Sequence, residues 1–168
     1  MLKTIQKKIA KHPAIMASLF NLYRPFRGAG IKIRQIDADF RRVQVEMPLT
    51  RSNKNIMGTH FGGSLYAMAD PFYMYMLMQN LGHRYHVWDQ DAFVVFKKPG
   101  DGTVYGDYRI TAQDLDTITT GAAGGSKVLH AFEADITKAD GTVVASVRKL
   151  LYIRLKKQFR PQPPVNTQ

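Results

Sequence analysis

A single carboxylate interrupts the most apolar stretch of the sequence, and a pair of glycines precedes it. Asp70 lies within residues 61–81, a run rich in Met, Tyr, Phe and Leu, and Gly63 stands seven residues before it. A run of this kind without a polar face is typical of a buried helix. Burial disfavours the charged form of a carboxyl group and raises its pKa, which suits a general base or a nucleophile. Asp followed by Pro71 is equally typical of the start of a new helix, with Asp70 as its N-cap.

Gly62 and Gly63 stand where this helix is expected to begin. The first N–H groups of a helix have no acceptor within it, and the positive end of the helix dipole lies there, so these groups can polarise a carbonyl oxygen. Glycine also lets a ligand approach the backbone without meeting a Cβ atom. A plain tight turn into the helix explains the two glycines equally well.

The other polar residues near the glycines each have two interpretations. Asn55 either orients a water molecule or closes the loop before the helix, and His60 either faces a ligand or lies in that loop, which we favour slightly. Ser64 lacks the flanking residues of a nucleophile elbow, so a place in the first helical turn explains it better. Lys97 and Lys98 could contact phosphate groups, although exposed lysines are more often simply solvated.

Strands are predicted on both sides of the helix. Period-two alternation marks residues 31–36 and 42–47 as two strands or as one bent strand. Four further strands are predicted after Val87, over residues 92–96, 103–111, 127–137 and 143–155, with a hairpin turn at Asp140–Gly141. Pro71 should kink the helix. The order of elements predicts an antiparallel α+β domain.

Residues 121–127 are rich in glycine and invite comparison with a phosphate-binding loop. They lack the Gly-Lys-Ser/Thr ending, and they lead into a predicted strand rather than a helix, so we interpret them as a flexible connection between strands. A metal site built from His83 and His86 near Asp89 is a thin alternative to a solvated loop, and no metal is expected.

The charge of the chain is concentrated at its two ends. The net charge is +11 over 168 residues, with eight basic and no acidic residues in 1–34 and six basic and no acidic residues in 148–168. Solvated basic ends are common, but such ends could also meet nucleic acid, an anionic lipid surface or a polyphosphate ligand. The absence of cysteine excludes disulfides and thiolate chemistry and permits a reducing compartment, so we expect a cytoplasmic protein.

One domain is expected from the length, with additional segments at both ends. Residues 1–30 are interpreted as a basic helical segment broken at Pro13, residues 31–157 as the domain itself, and residues 158–168 as a disordered tail. The N-terminal segment is amphipathic, so contact with a membrane surface is possible through it. Asp70 and Pro71 argue against a membrane-spanning function for the apolar run.

A pattern of glycines, one amide and one acid runs from residue 55 to residue 70. It reads Asn55-x-x-Gly58-x-x-Phe61-Gly62-Gly63, followed by Asp70. This pattern resembles the signature of small acyl-CoA thioesterases of the phenylacetyl-CoA type, which have the hot-dog fold. The resemblance continues through residues 93–99, 102–105 and 127–155. The amino-acid sequence at residues 58–63, 70–73 and 87–89 is more similar to an uncharacterised branch of the hot-dog superfamily.

The resemblance implies one long buried helix wrapped by an antiparallel sheet, an extra N-terminal helical segment, and a site between two protomers. It implies that the amides of Gly62 and Gly63 polarise a thioester carbonyl, that Asp70 attacks it or activates water, and that Asn55 gives an orienting hydrogen bond. The substrate would be an acyl-CoA-like molecule, no cofactor would be needed, and the assembly would be a homodimer or homotetramer. The residues expected to contact the substrate are His60, Phe61, Ser64, Lys97 and Lys98.

One residue departs from the family pattern, because Phe61 stands where the family usually has histidine. A backbone oxyanion donor is worth about 10²–10³ in rate and a placed general base about 10²–10⁴, so losing the histidine need not abolish activity. Two hypotheses follow: a hydrolase of an acyl-CoA or acyl-carrier thioester, and a binding protein that holds such a ligand without cleaving it. Nucleic-acid binding rests on charge alone and is not expected.

Overall fold

The computed structural model describes residues 12–161. It contains a six-stranded antiparallel sheet and an interrupted central helix. The order of strands in the sheet is β1-β2-β4-β5-β6-β3, and every neighbouring pair is antiparallel. The strands are β1 (Lys32–Ile36), β2 (Arg42–Met47), β3 (Tyr85–Phe96), β4 (Val104–Arg109), β5 (Val128–Thr137) and β6 (Val143–Leu155). The helices are α1 (Pro13–Leu22), α2 (Arg24–Ala29), α3 (Gly62–Ala67), α4 (Phe72–Leu81) and α5 (Ala112–Ala122), with 3-10 turns at Gly82–Arg84 and Lys157–Phe159.

The central helix is buried, as its apolar run predicts, but it is broken in the middle. Residues 68–71 form a turn between α3 and α4, because Pro71 has no N–H to donate and its ring excludes a continuous helix. Phe72, Met76 and Leu77 of α4 are fully buried, and Phe72 stacks on Tyr108 of β4 with 5.3 Å between ring centroids. Each such side chain contributes about 1.5–3 kcal/mol of burial free energy. The expectation of a hot-dog fold, with a helix packed on an antiparallel sheet, is confirmed.

The strands follow the predicted pattern except at β3. Residues 31–47 form a hairpin of two separate strands, and Gly141 takes a positive φ of 83° in the predicted β5–β6 turn. Strand β3 begins at Tyr85, seven residues before the predicted start at residue 92. A bulge between Asp89 and Asp91 shifts its register against β6, so the period-two pattern that would have revealed the strand is out of phase across it.

Helix α5 is absent from the sequence-based expectations, which placed only a flexible connection near residues 121–127. It contains several threonines, which disfavour helix formation. A capping box between Thr111 and Asp114 fixes its start, and Ile118 and Ala122 are buried at its inner face. Packing and capping therefore outweigh intrinsic propensity in this segment.

The N-terminal helices pack beside β1. Helix α1 begins at Pro13, where a break was expected, and the Asn21 side chain bonds both the N–H and the carbonyl of Ile33 in β1. Residues 1–11 lie outside the described part of the chain, as do residues 162–168 of the tail that was predicted over 158–168. The first residues of that tail are described and continue the 3-10 turn at Lys157–Phe159. Within residues 12–161, no helix is long and apolar enough to cross a membrane.

Candidate functional site

The loop that leads to the two glycines is held by two asparagines. The Asn55 side chain accepts from the N–H groups of Met57 and Thr59 and donates to the Thr59 hydroxyl and the His60 carbonyl. Of the two interpretations of Asn55, the structure shows the loop-closing one. Asn53, which sequence analysis did not single out, is 1% exposed and donates to the carbonyls of Ala29 and Pro48, so it ties the loop to the end of α2.

His60 is buried in this loop and contacts the backbone. The ring Nε2 of His60 lies 2.9 Å from the carbonyl oxygen of Gly102, and the backbone N–H of His60 donates to the carbonyl of Gly100. Burial lowers the pKa of His60, and hydrogen bonding to backbone groups only partly offsets that effect. These contacts place His60 in the loop, and its expected contact with a ligand stays a prediction.

We expect His60 to make the fold sensitive to acid. Its pKa is below the ordinary 6.5 in the folded chain, so the unfolded chain binds the proton first as the pH falls, and stability decreases below about pH 6.5. The free energy of unfolding by urea, measured at about pH 7.5 and about pH 5, should fall less in His60→Gln than in the wild type. His86→Gln, at an exposed position of β3, is the control and should behave as the wild type; an equal fall in His60→Gln would contradict the assignment.

Two aromatic rings occupy the space that the glycines leave free. A Cβ atom on Gly62 would lie 2.9 Å from the ring of Phe96, and one on Gly63 would collide with the ring of Phe61. The rings of Phe96 and Phe61 therefore leave room only for glycine at positions 62 and 63. The two N–H groups themselves donate to no acceptor among residues 12–161, whereas those of Ser64 and Leu65 both donate to the Phe61 carbonyl.

A groove runs along the start of α3 and has a volume of about 610 Å³. It brings together five of the residues singled out from the sequence, namely Asn55, His60, Gly62, Lys97 and Lys98, together with the apolar side chains of Met57, Leu65 and Phe96. Ser64 is buried within α3, and the half-exposed Phe61 lies outside the lining of the groove.

Asp70 does not match either interpretation made from the sequence. Its side chain is 47% exposed, so it is not a buried carboxylate, and it does not cap α4, whose N-cap is Pro71 without a side-chain hydrogen bond. Instead, Oδ1 of Asp70 accepts from the Tyr66 hydroxyl at 2.7 Å and from Nζ of Lys149 at 2.8 Å. The acid is therefore held in place by an ion pair, which the expectation of an isolated carboxylate in an apolar helix did not include.

Lys149 is fully buried on the inner face of β6. Its ammonium lies 2.8 Å from Asp70 and 3.2 Å from Oδ1 of Asp89 on β3, and it lies over the ring of Tyr66. Burial alone would lower the pKa of Lys149, but the hydrogen bonds with Asp70 and Tyr66 and the charge of Asp89 outweigh burial, and the pKa is raised. Burial raises the pKa of the Asp89 carboxyl, and Lys149 only partly offsets this.

The sequence does contain a signal for Lys149. Val147, Leu151 and Ile153 alternate along β6 as its inward-facing residues, and Lys149 occupies an inward position in the same series. A charged residue in phase with a buried face requires a partner. Counting Lys149 among the basic residues of the C-terminal end concealed this signal.

A second cleft, of about 440 Å³, is separate from the groove at the glycines. Tyr66, Lys149 and the bulged segment of β3, residues 89–92 and 94, line it, and Asp70 itself is not among the lining residues. A bulge is a common device for redirecting side chains near functional sites. Among residues 12–161, no group of three or more metal-binding side chains is present.

Comparison with known proteins identifies a family and a fold. The family model described as "Domain of unknown function (DUF4442)" matches residues 12–153. The search of curated proteins gives no match.

Solved structures share the architecture at low sequence identity. A Pseudomonas aeruginosa protein of unknown function, described as a probable thioesterase, is 21% identical, with a TM-score of 0.74 over 86% of this chain and 97% of that chain. A Haemophilus influenzae thioesterase is 14% identical, with a TM-score of 0.65 over 86% and 91%. The PaaI protein of the E. coli phenylacetic acid degradation operon is 18% identical, with a TM-score of 0.59 over 83% and 89%. The chain therefore has the hot-dog fold of these thioesterase structures and belongs to the DUF4442 family.

Proposed function

We propose that the protein hydrolyses the thioester of an acyl-CoA or acyl-carrier substrate. The observation that carries this proposal is a pair of complementary half-sites. Among residues 12–161, the N–H groups of Gly62 and Gly63 have no acceptor, and the Asp70 carboxylate is anchored through Oδ1 while Oδ2 accepts no hydrogen bond. Unpaired amides can stabilise a developing oxyanion, and an anchored carboxylate can take a proton from water.

The reaction follows from these two groups. A water oxygen attacks the thioester carbonyl carbon while Oδ2 of Asp70 takes the water proton, and the carbonyl oxygen gains negative charge beside the N–H groups of Gly62 and Gly63. The C–S bond then breaks, the carbonyl reforms, and Asp70 returns its proton to the departing sulfur. The products are a carboxylic acid and a free thiol. In the alternative route, Oδ2 attacks the carbonyl carbon directly, the C–S bond breaks and the departing thiolate takes a proton from water. A second water molecule then hydrolyses the anhydride, which releases the carboxylic acid and restores the Asp70 carboxylate.

The groove supports an acyl-CoA-like ligand. Apolar side chains of Leu65, Met57 and Phe96 line it beside Gly62, and Lys97 and Lys98 supply positive charge at the same groove. Lysine ammonium groups bind phosphate as point charges. We assign the apolar side to the acyl group and the lysines to phosphates of the carrier. Asn55 shapes the groove through the loop that it closes.

A second copy of the chain is needed to complete the site. Helix α3 rises about 7.5 Å from Gly62 to Ala67, and Asp70 lies three residues further on in the turn, whereas reacting groups must approach within about 3–3.5 Å. One thioester carbonyl cannot reach both groups of one chain. We therefore propose that Asp70 of one protomer works with Gly62 and Gly63 of its partner.

Strand β3 is the surface that we propose for this pairing. It has 12 residues and lies at the edge of the sheet, with the cleft at its residues 89–94 and the groove at the residues that follow from Phe96 to Gly100. Antiparallel pairing of two β3 strands about a two-fold axis would bring each cleft toward the partner's groove. Exposed Phe93 and Phe96 on this strand would be covered on pairing. We propose a homodimer as the basic unit, which could double to a homotetramer.

The alternative function is binding without cleavage. The observation that favours it is the ring of Phe61, which lies against Gly63 in place of the histidine that the family usually carries. A ring in this position restricts the approach of a carbonyl to one of the two amides. In this case the groove would retain an acyl or acyl-CoA ligand.

A thiol-release assay separates the two functions. Purified protein is incubated with short, long and aromatic acyl-CoA thioesters, and free thiol is measured alongside native mass spectrometry of the protein. Hydrolysis predicts thiol release from at least one substrate. A retained acyl-CoA without thiol release would support the binding function, and an empty monomer without turnover would contradict both. Because the chain has no cysteine, none of its own side chains contributes to the thiol signal. We propose that the reaction takes place in the cytoplasm.

We also propose that the N-terminal segment contacts an anionic membrane surface. Ile15, Leu19 and Leu22 lie on one exposed face of α1, and residues 1–34 carry eight basic and no acidic groups. The like charge of this segment disfavours pairing with a second copy of itself, while anionic lipid offers both opposite charge and an apolar layer.

Vesicle sedimentation tests this contact. Replacing Leu19 and Leu22 together by Ser should weaken binding to phosphatidylserine-containing vesicles at least about tenfold, because burial of each leucine contributes about 1.5–3 kcal/mol. Leu129→Ser, which removes an exposed leucine of β5, should leave binding unchanged. Equal binding of the double variant and the wild type would contradict the proposal.

A further inference from the structure

The two oxygens of Asp70 have different surroundings. Oδ1 accepts hydrogen bonds from the Tyr66 hydroxyl at 2.7 Å and from Nζ of Lys149 at 2.8 Å. Oδ2 accepts none within residues 12–161, although the Asp70 side chain is 47% exposed. Holding one oxygen of a carboxylate by two donors fixes the plane of the group and directs its second oxygen. Oδ2 is therefore the atom that remains available for water or substrate.

Lys149 makes its polar contacts inside this cluster. Nζ donates hydrogen bonds to Asp70 at 2.8 Å and to Tyr66 at 3.2 Å, and it forms an ion-pair contact at 3.2 Å with Oδ1 of Asp89, which has no hydrogen-bond partner among residues 12–161. None of the Lys149 side chain is exposed. The ammonium thus joins α3, the turn before α4, and β3 at a single point.

Packing alone gives no reason for a charge at this position. Lys149 faces inward with Phe132 as its neighbour on β5 and Ala92 as its neighbour on β3. An apolar residue of similar length would fill such a position without the cost of burying an ammonium group. The charge is accounted for by the carboxylates that it contacts, of which Asp70 is the more exposed.

We propose that Lys149 is the positioning residue of the hydrolytic site: with Tyr66 it holds Oδ1 of Asp70, so that Oδ2 remains free to act on water. The inference rests on the proposed thioester hydrolysis. Lys149 itself does not touch the substrate, and it acts through Asp70. Asp89 completes the charge balance on the far side of the ammonium. The remaining titratable group that lines the cleft is Asp91.

Three variants of the full-length protein separate positioning from general support of the fold. Lys149→Met removes the charge and keeps much of the side-chain volume, Lys149→Arg keeps the charge and changes its shape, and Tyr66→Phe removes only the second donor to Oδ1. The matched control is Lys32→Met, which removes an exposed lysine on β1, at the opposite edge of the sheet. The measurements are kcat and KM for thiol release and the free energy of unfolding by urea.

For Lys149→Met we expect kcat to fall about 10²-fold, because the attacking group is no longer held in position. KM should change much less, because Lys149 acts through Asp70 and does not contact the substrate. Lys149→Arg should recover part of the lost kcat, because its guanidinium can still donate to Oδ1, and Tyr66→Phe should lower kcat less than Lys149→Met. A purely structural role would lower stability without lowering the kcat of the folded protein.

The outcomes distinguish this inference from the proposed function. An active wild type with the same kcat in folded Lys149→Met would overturn the role of Lys149 and leave hydrolysis standing. A wild type without turnover on any acyl-CoA would overturn the proposed hydrolysis and this inference with it. If Lys149→Met does not fold, unchanged kcat in both Lys149→Arg and Tyr66→Phe overturns the inference.

Discussion

Replacing Asp70 by Asn lowers kcat for thioester hydrolysis by about 10²–10⁴-fold, which is the contribution of a placed general base. Asn retains the shape of Asp and an oxygen that can accept from Tyr66 and Lys149, but it cannot take a proton from water at its other position. Thiol release from the best acyl-CoA substrate measures the change. We expect KM to change much less, because the carboxylate is proposed to act on water and on the reacting carbon rather than to hold the carrier.

The loss must be distinguished from unfolding. Removing the Asp70 charge leaves the Lys149 ammonium with Asp89 as its partner, and because Asp70 is half-exposed the expected destabilisation is about 1 kcal/mol. Urea unfolding should therefore still show a cooperative transition in Asp70→Asn. Asp116→Asn, on the exposed side of α5, is the matched control and should retain both activity and stability. Full activity in Asp70→Asn would exclude the mechanism proposed for this site.

The oxyanion assignment predicts a large difference between two substitutions of Gly62. Gly62→Pro removes the N–H group at the first position of α3, where proline is well tolerated, and Phe61 before it already has the extended ψ of 129° that a following proline requires. Gly62→Ala adds the same Cβ atom near the Phe96 ring and keeps the N–H. We expect kcat of Gly62→Pro to be about 10²–10³-fold below that of Gly62→Ala. Equal rates for the two would remove this amide from the mechanism.

Mixing the two inactive variants tests whether the site is shared between protomers. Differently tagged Asp70→Asn and Gly62→Pro chains are co-expressed, and the mixed dimer is purified through both tags. In such a dimer, one site combines the intact Gly62 of the first chain with the intact Asp70 of the second. Recovery of about half of the wild-type activity is expected from a two-fold arrangement. A mixed dimer that stays as inactive as its parents would show that each chain carries its own site.

The strands and the central helix were predictable because their signals are local. The alternation in β6 and the Asp140–Gly141 turn each depend on residues that are neighbours in sequence, as does the apolar run of α4. Helix α5 was missed because its threonines disfavour a helix, whereas the capping box of Thr111 and Asp114 and the burial of Ile118 and Ala122 stabilise it. The predicted strand at β3 was too short because the bulge breaks the alternation from which a strand is recognised.

The sequence by itself determined the antiparallel α+β domain, the loop before the central helix, and the pair Gly62–Gly63 at its start, because patterns and motifs are written in consecutive residues. It did not determine the surroundings of Asp70. Lys149 is 79 residues away along the chain, and its ion pair with Asp70 exists only because β6 passes beside the turn before α4. The same long-range packing made His60 a buried part of the loop and filled the space at the glycines with Phe61 and Phe96. Charge pairing and burial depend on distances that only the folded chain fixes, and for that reason the tertiary structure decided what the acid can do.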